Sequence, residues 1–128
     1  MASWRDVSRY ALALPATSEE LSSQGLRQWL VQTKMFAWER PLRRSDLEAL
    51  GKDAPKGAIL GLRTTDLEMK EMLLASDPNA YFTTPHFNGY PAVLVRLATI
   101  APKALRDALL EAWLTRAPKR LAASYLKP

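Results

Sequence analysis

Apolar positions along this chain follow two different periods, in short stretches set apart by proline and glycine. Near the start, Trp4, Val7, Ala11 and Leu14 recur at spacings of three and four, the signature of one helical face. Ser3 stands where an N-cap belongs, and Asp6 three residues on completes a shortened capping box. Pro15 removes a helical hydrogen bond and pushes Leu14 toward extended geometry, so the helix is expected to end there. Residues 17–23 read as a polar, acidic connector.

Residues 25–31 and 34–40 then have the look of a hairpin. The Gln32-Thr33 link between them is poor two-residue turn chemistry, because neither residue favours a positive φ. With two residues in the turn, Val31 faces Lys34, Trp29 faces Phe36 and Arg27 faces Trp38, all on one face of the ladder. Leu26, Gln28, Leu30, Met35, Ala37 and Glu39 fall on the other face. Both faces are partly apolar, so the pattern leaves the inward one open. Pro41 closes the second strand.

A short helical turn over residues 45–50 follows, capped by Ser45 with Glu48 completing the box. After a loop at 52–57, residues 58–63 read as a third strand. Thr65 caps a second helix with Glu68 at its third position, Leu67, Met69, Met72 and Leu73 as its apolar side and Asp77-Pro78 as its end. Residues 81–84 form a short extended piece and 85–91 a polar–aromatic loop. Residues 92–97 are the strongest strand, rich in branched side chains. Pro102 sits at the first position of a third helix, whose buried stripe is Leu105, Leu109, Ala112 and Trp113. Pro118 breaks it, and a shorter helix restarts through Tyr125. Hairpin-ordered strands with helices before and after them imply an α+β, two-layer fold. It has an antiparallel sheet of about five strands with helices packed on one face. With no repeat or long linker in its 128 residues, the chain reads as a single domain over 1–128.

Composition narrows the function classes. The chain has no cysteine and one histidine, His86. Disulfides, iron–sulfur clusters, thiolate zinc sites and a thiol nucleophile are excluded, and no metal or cofactor is expected. No stretch approaches the ~20 apolar residues of a membrane span. Charges at Arg5 and Asp6 stand where a signal peptide needs its apolar core, so a cytoplasmic protein is expected. Ala- and Arg-rich, Lys-poor usage suggests a GC-rich bacterial genome. Eighteen Lys and Arg against thirteen Asp and Glu give a net charge of +5. The excess is spread over both halves, which permits a polyanionic partner without demanding one.

Four clusters carry candidate chemistry. Arg27, Trp29, Phe36, Trp38 and Arg40 would form an aromatic–basic strip, the arrangement by which sheets hold single-stranded nucleic acid. The alternative is that the rings pack under the helices and Arg27 lies across one of them. Arg40, Arg43 and Arg44 flank Pro41 in a loop from which guanidinium groups can reach phosphates, with Glu39, Asp46 and Glu48 near enough in sequence to neutralise them. Arg116, Lys119, Arg120 and Lys127 make the C-terminal segment basic, at a helix start suited to phosphate. Alternatively, Arg116 meets its own helix dipole and the rest solubilise. Finally, His86, Asn88 and Tyr90 share a loop that can bind a small polar ligand or supply an acid–base group. No carboxylate lies between Asp77 and Asp107 to orient the imidazole, so catalysis is not expected.

Taken in order, several local patterns resemble the MmcQ/YjbR family. They are the first helix running into Ala13-Leu14-Pro15-Ala16-Thr17 with Glu19-Glu20 behind it, and Lys34-Met35-Phe36-Ala37 opening the second strand. Pro85-His86-Phe87-Asn88 then precedes the last strand, and the long helix holds Ala112-Trp113 before Lys119-Arg120. The resemblance runs from about Trp4 to Leu126 and rests on order and spacing. It implies a frataxin-like or double-wing arrangement and DNA binding. Many relatives carry a Lys just after the His-x-Asn element and a Trp before the last strand. Here the segment reads His86-Phe87-Asn88-Gly89-Tyr90-Pro91-Ala92, without either. The expectation is therefore a non-catalytic domain that binds the DNA backbone through Arg43, Arg44, Lys119, Arg120 and Arg40. A ligand-binding or adaptor domain using His86, Asn88, Tyr90 and the sheet edge is the alternative.

Overall fold

The computed structural model describes residues 2–126. Helix α1 (Trp4–Leu12) starts as its sequence requires: Asp6 N–H donates to Ser3 Oγ, and Ser3 N–H donates to the Asp6 carboxylate at 3.0 Å. Among the described residues there are five α-helices and six strands, with α1 leading into β1 (Thr17–Leu21), β2 (Arg27–Val31) and β3 (Lys34–Glu39). Next come α2 (Arg44–Leu50), β4 (Ile59–Arg63), α3 (Leu67–Ser76), β5 (Tyr81–Phe82), β6 (Ala92–Arg96), α4 (Pro102–Arg116) and α5 (Lys119–Leu126). The sheet is antiparallel throughout, in the order β1-β2-β3-β4-β6-β5.

The sixth strand is β1, in the segment expected to be a connector. Four of its five residues are exposed, so it carries no alternating apolar signal. Its polar side chains suit an edge strand, where charge discourages pairing with other chains. Glu19 reaches back to tie the edge down, accepting hydrogen bonds from Trp29 Nε1 at 2.7 Å and Ser8 Oγ at 2.5 Å.

The 32–33 turn does hold two residues, and Gln32 takes a φ of 55° despite its side chain. The predicted pairing then fails after two rungs. Leu30 pairs with Met35, but Trp29 pairs with Ala37 and Gln28 with Trp38. Phe36 is thus an extra residue, a bulge that sends everything beyond it to the opposite face. Trp29, Val31, Phe36 and Ala37 all enter the main core, which α1 and α4 cover. Trp38 emerges on the other side. The expected strip of five side chains is therefore divided between two faces. Arg27 lies across the Trp4 ring at 5.5 Å, as the packing alternative expects.

Two helix caps differ from expectation. Arg43, not Ser45, is the N-cap of α2, and its N–H donates to Asp46 Oδ2 at 2.8 Å. Asp66, not Thr65, caps α3 by accepting from Met69 N–H. The apolar side of α3 also turns differently: Leu67 and Met72 are exposed, while Lys70 is buried. Every predicted stripe residue of α4 is buried, and Ala108, which was not predicted, is buried beside them. On the second sheet face, Ile59, Phe82, Phe87, Ala92 and Leu94 form a smaller core, bordered by Trp38, Leu42 and Leu50. That patch covers only part of the face, and an open cleft occupies the rest.

Candidate functional site

The cleft lies over β2 and β3 and has a volume of about 470 Å³. Its floor is the far side of the hairpin, with Gln28, Met35 and Trp38, and the 85–91 loop walls it with His86, Phe87 and Tyr90. Four arginines line it: Arg40, Arg43, Arg63 and Arg116. Glu39 is the one carboxylate in the lining, and it already accepts from the backbone and guanidinium of Arg27, both at 3.1 Å. The field inside is therefore positive.

Strand register spreads the cations along the groove. Arg40 and Arg43 follow the end of β3, where Glu39 pairs with Leu60. Arg63 closes β4 one residue beyond Leu62, which pairs with Ala37, on the opposite side of the Trp38–Gly61 pair from Leu60. Thr115 meets Thr65 at 3.4 Å, bringing the end of α4, and with it Arg116, to the Arg63 side. Trp38 lies between. Its partner across the ladder is Gly61, and a Cβ there would sit 2.4 Å from Trp38 Cε2 and 2.7 Å from Cζ2 and Nε1. Only glycine lets the indole lie down on the sheet.

The walls are held by two buried charges. Arg40 is 6% exposed; its Nη2 is 3.0 Å from Asp46 Oδ2, its Nη1 donates to Pro41 O, and its guanidinium covers the Phe87 ring. Arg40 is thus part of the cleft's frame and is neutralised there, which sets it apart from a free phosphate contact. Burial works to raise the Asp46 pKa, but the Arg43 N–H, the Arg40 charge and a Thr84 contact outweigh it and hold the carboxyl below its usual range. Lys70 is the second. From α3 its ammonium donates to Phe87 O at 2.5 Å and Tyr90 O at 3.0 Å, stapling the loop that forms the wall. Burial pushes its pKa down, opposed by nearby Glu71. Nothing local singles out Lys70, because a lysine among Leu67, Met69 and Met72 reads as the solvated side of a helix.

The remaining candidates separate. Arg43 is exposed and lines the cleft; Arg44 does not line it and pairs with Glu48 at 3.4 Å on the outer side of α2. Lys119 and Arg120 are exposed on α5, just after Arg116. Lys127 lies outside the described residues. His86 packs edge-on against Phe87 at 4.9 Å, and Tyr90 receives a hydrogen bond from Arg63, whose guanidinium also lies over its ring. Asn88 is exposed and turns away from the lining. Arg63 was missed as a site residue, and Arg116 was named only within the basic C-terminal segment; one ends an apolar strand and the other a helix, and only the folded chain joins them. Among the described residues, no group of three or more His, Asp or Glu side chains is placed to hold a metal ion, and no helix is long and apolar enough to cross a membrane.

The sequence matches the YjbR family model over residues 12–117. The chain belongs to the YjbR family. Uncharacterized proteins of Mycobacterium tuberculosis and Mycobacterium bovis are 50% identical to it, over 98% of this chain and 97% of theirs. Among solved structures, a Deinococcus radiodurans protein with a DUF419 domain superposes with a TM-score of 0.64 at 20% identity, covering 89% of this chain and 78% of that one. That likeness is one of fold. Thus the YjbR match takes in the whole cleft floor, the 85–91 wall and Arg116, and leaves Lys119 and Arg120 just beyond its end.

Proposed function

We propose that this YjbR-family protein binds nucleic acid without acting on it chemically, using the basic cleft and its rim. The observation that carries this reading is the convergence of Arg43, Arg63 and Arg116, from three distant parts of the chain, on one cleft whose single carboxylate is engaged by Arg27. Lys119 and Arg120, exposed at the start of α5 three and four residues past Arg116, add further positive charge to that part of the chain. Phosphate contacts position a strand without reading bases. Among the described residues, the lining holds no carboxylate beside His86 other than Glu39, which Arg27 engages.

Binding through phosphates must weaken with salt. Each neutralised phosphate adds about −0.9 to the slope of log K against log salt on B-DNA. Four engaged cations give a slope of about −3 to −4, and replacing Arg43 and Arg116 together by Ala flattens it by up to about two, equally for all sequences. Titration of duplex and single-stranded DNA at several salt concentrations measures both. Absence of binding to either form at low salt ends the proposal. A second reading, a small polar ligand held by the His86–Tyr90 loop, draws on the same cleft, since His86 and Tyr90 both line it.

A further inference from the structure

We infer that the cleft is a slot for a single nucleotide unit of an open strand, with one base stacked on Trp38 and its phosphates on the flanking arginines. The inference rests on the nucleic-acid reading above and narrows it. Three features carry it. A cleft of about 470 Å³ falls in the lower part of the roughly 300–1,000 Å³ range of small-molecule sites. That is the scale of a small-molecule site, which suits a single nucleotide unit better than a whole duplex.

Trp38 supplies the second feature. Three atoms of its ring are nearly equidistant from the position of a Gly61 Cβ. The indole therefore lies face-down on the sheet, and its other face looks into the cleft. Phe87, at 6.4 Å and 39°, steadies its edge. An exposed ring face beside cations is what an unpaired base stacks upon, whereas bases in a duplex are already stacked on each other. Gln28, paired with Trp38 across the ladder on the same face, offers an amide to a base edge.

The third feature is a pair of cations without counter-charges. Arg63 and Arg116 are half-buried in the lining, and neither forms an ion pair among the described residues. Guanidinium groups without a carboxylate partner are free to meet a phosphate oxygen with charge assistance. They stand at one end of the groove and Arg43 at the other, with the ring between. This matches a strand that threads phosphate, base and phosphate along β3.

The test compares four ligands on the full chain: tetrathymidylate, a blunt, tightly looped DNA hairpin compared with it at equal total phosphate, thymidine monophosphate and inorganic phosphate. Tetrathymidylate is expected to bind about tenfold or more tighter than the hairpin, and Trp38→Leu to remove that preference while Trp38→Phe retains most of it. Arg63→Gln and Arg116→Gln, whose side chains lie at the surface end of the groove, each flatten the single-strand salt slope by about 0.7. They serve as the test if Trp38→Leu does not fold. Equal affinity for strand and hairpin, or binding indifferent to Trp38 and both arginines, overturns the slot and leaves the nucleic-acid reading standing. Thymidine monophosphate binding as tightly as tetrathymidylate upholds the slot but ends the nucleic-acid reading, the ligand then being a free nucleotide. Inorganic phosphate matching thymidine monophosphate overturns the slot, and no binding by any ligand ends both.

Discussion

Trp29 and Trp38 sit on neighbouring strands of one hairpin, nine residues apart in sequence, and do opposite things. Trp29 is fully buried beneath α1, stacks on Trp4 at 6.0 Å, and has its Nε1 satisfied by Glu19. Trp38 lies on the other face, half-buried, between arginines. The difference comes from one bulge at Phe36, since a single extra residue reverses the facing of all that follow. One face of the sheet is thus a sealed core with its polar atoms paired. The other is an open cleft in which Arg63 and Arg116 form no ion pair among the described residues.

The sharpest way to break this comparison is to truncate both rings. Trp29→Ala is expected to lose about 3–5 kcal/mol, as large core truncations do. Trp38→Ala should lose only about 1–2 kcal/mol, since less of its surface is buried, yet it alone should abolish the single-strand preference. Urea unfolding and ligand titration of the two variants measure this. Equal losses of stability would mean that the second face is as tightly packed as the first.

Next in size is the frame of the cleft. Asp46→Ala leaves Arg40 buried without its partner, and breaking such a pair costs about 3 kcal/mol or more. The same carboxylate gives an acid dependence. Its folded pKa lies below the ordinary 3.8, so its contribution is fully present above that pH and is lost as pH falls through the lower, folded value. The variant's acid unfolding should lack that component.

Lys70→Met should have a smaller effect, about 1–3 kcal/mol at pH 7, because two buried carbonyls lose their donor. Here the sign runs the other way. The folded pKa of Lys70 is below the ordinary 10.5, so the unfolded chain keeps a proton that the folded one has released. Stability from this group therefore rises as pH climbs through that window toward 10.5. The margin of the wild type over Lys70→Met should widen from pH 7 to pH 10 in urea titrations. Tyr81 lowers the stability of both proteins alike above its ordinary 10.0, because burial, with Asp77 and Asp107 adding to it, raises the phenol's pKa, and so it cancels from the margin. A margin that stays flat would show the ammonium to be well solvated. Smallest of all is Arg44→Ala. Its side chain is 94% exposed and paired with a Glu48 that is 69% exposed, so the change should stay within about 0.5 kcal/mol and leave the salt slope nearly untouched.

Legibility in the sequence followed the range of the forces involved. Capping of α1 by Ser3 and Asp6, the Pro102 start and buried stripe of α4, and β6 were all readable, because each depends on residues within a turn or two of one another. β1 was not, since an edge strand with exposed Glu and Ser has no apolar alternation to show. Of the candidate residues, Arg43, His86 and Tyr90 were named and do line the cleft. Arg40 was named for a role that its pairing with Asp46 redirects to the frame, and Arg44 and Asn88 lie outside the lining.

By itself, then, the sequence determined where most helices begin, where the hairpin turns, and that the chain is an α+β domain of the YjbR family. Periodicity, capping and proline placement are local, and the family's patterns lie along the chain in order. Tertiary structure alone decided which face each aromatic takes, that Lys70 is a buried staple, and that Arg43, Arg63 and Arg116 meet. Those outcomes depend on one unpaired residue in a ladder and on contacts between segments far apart in the chain, where side-chain direction is settled by what the partner strand or helix leaves room for.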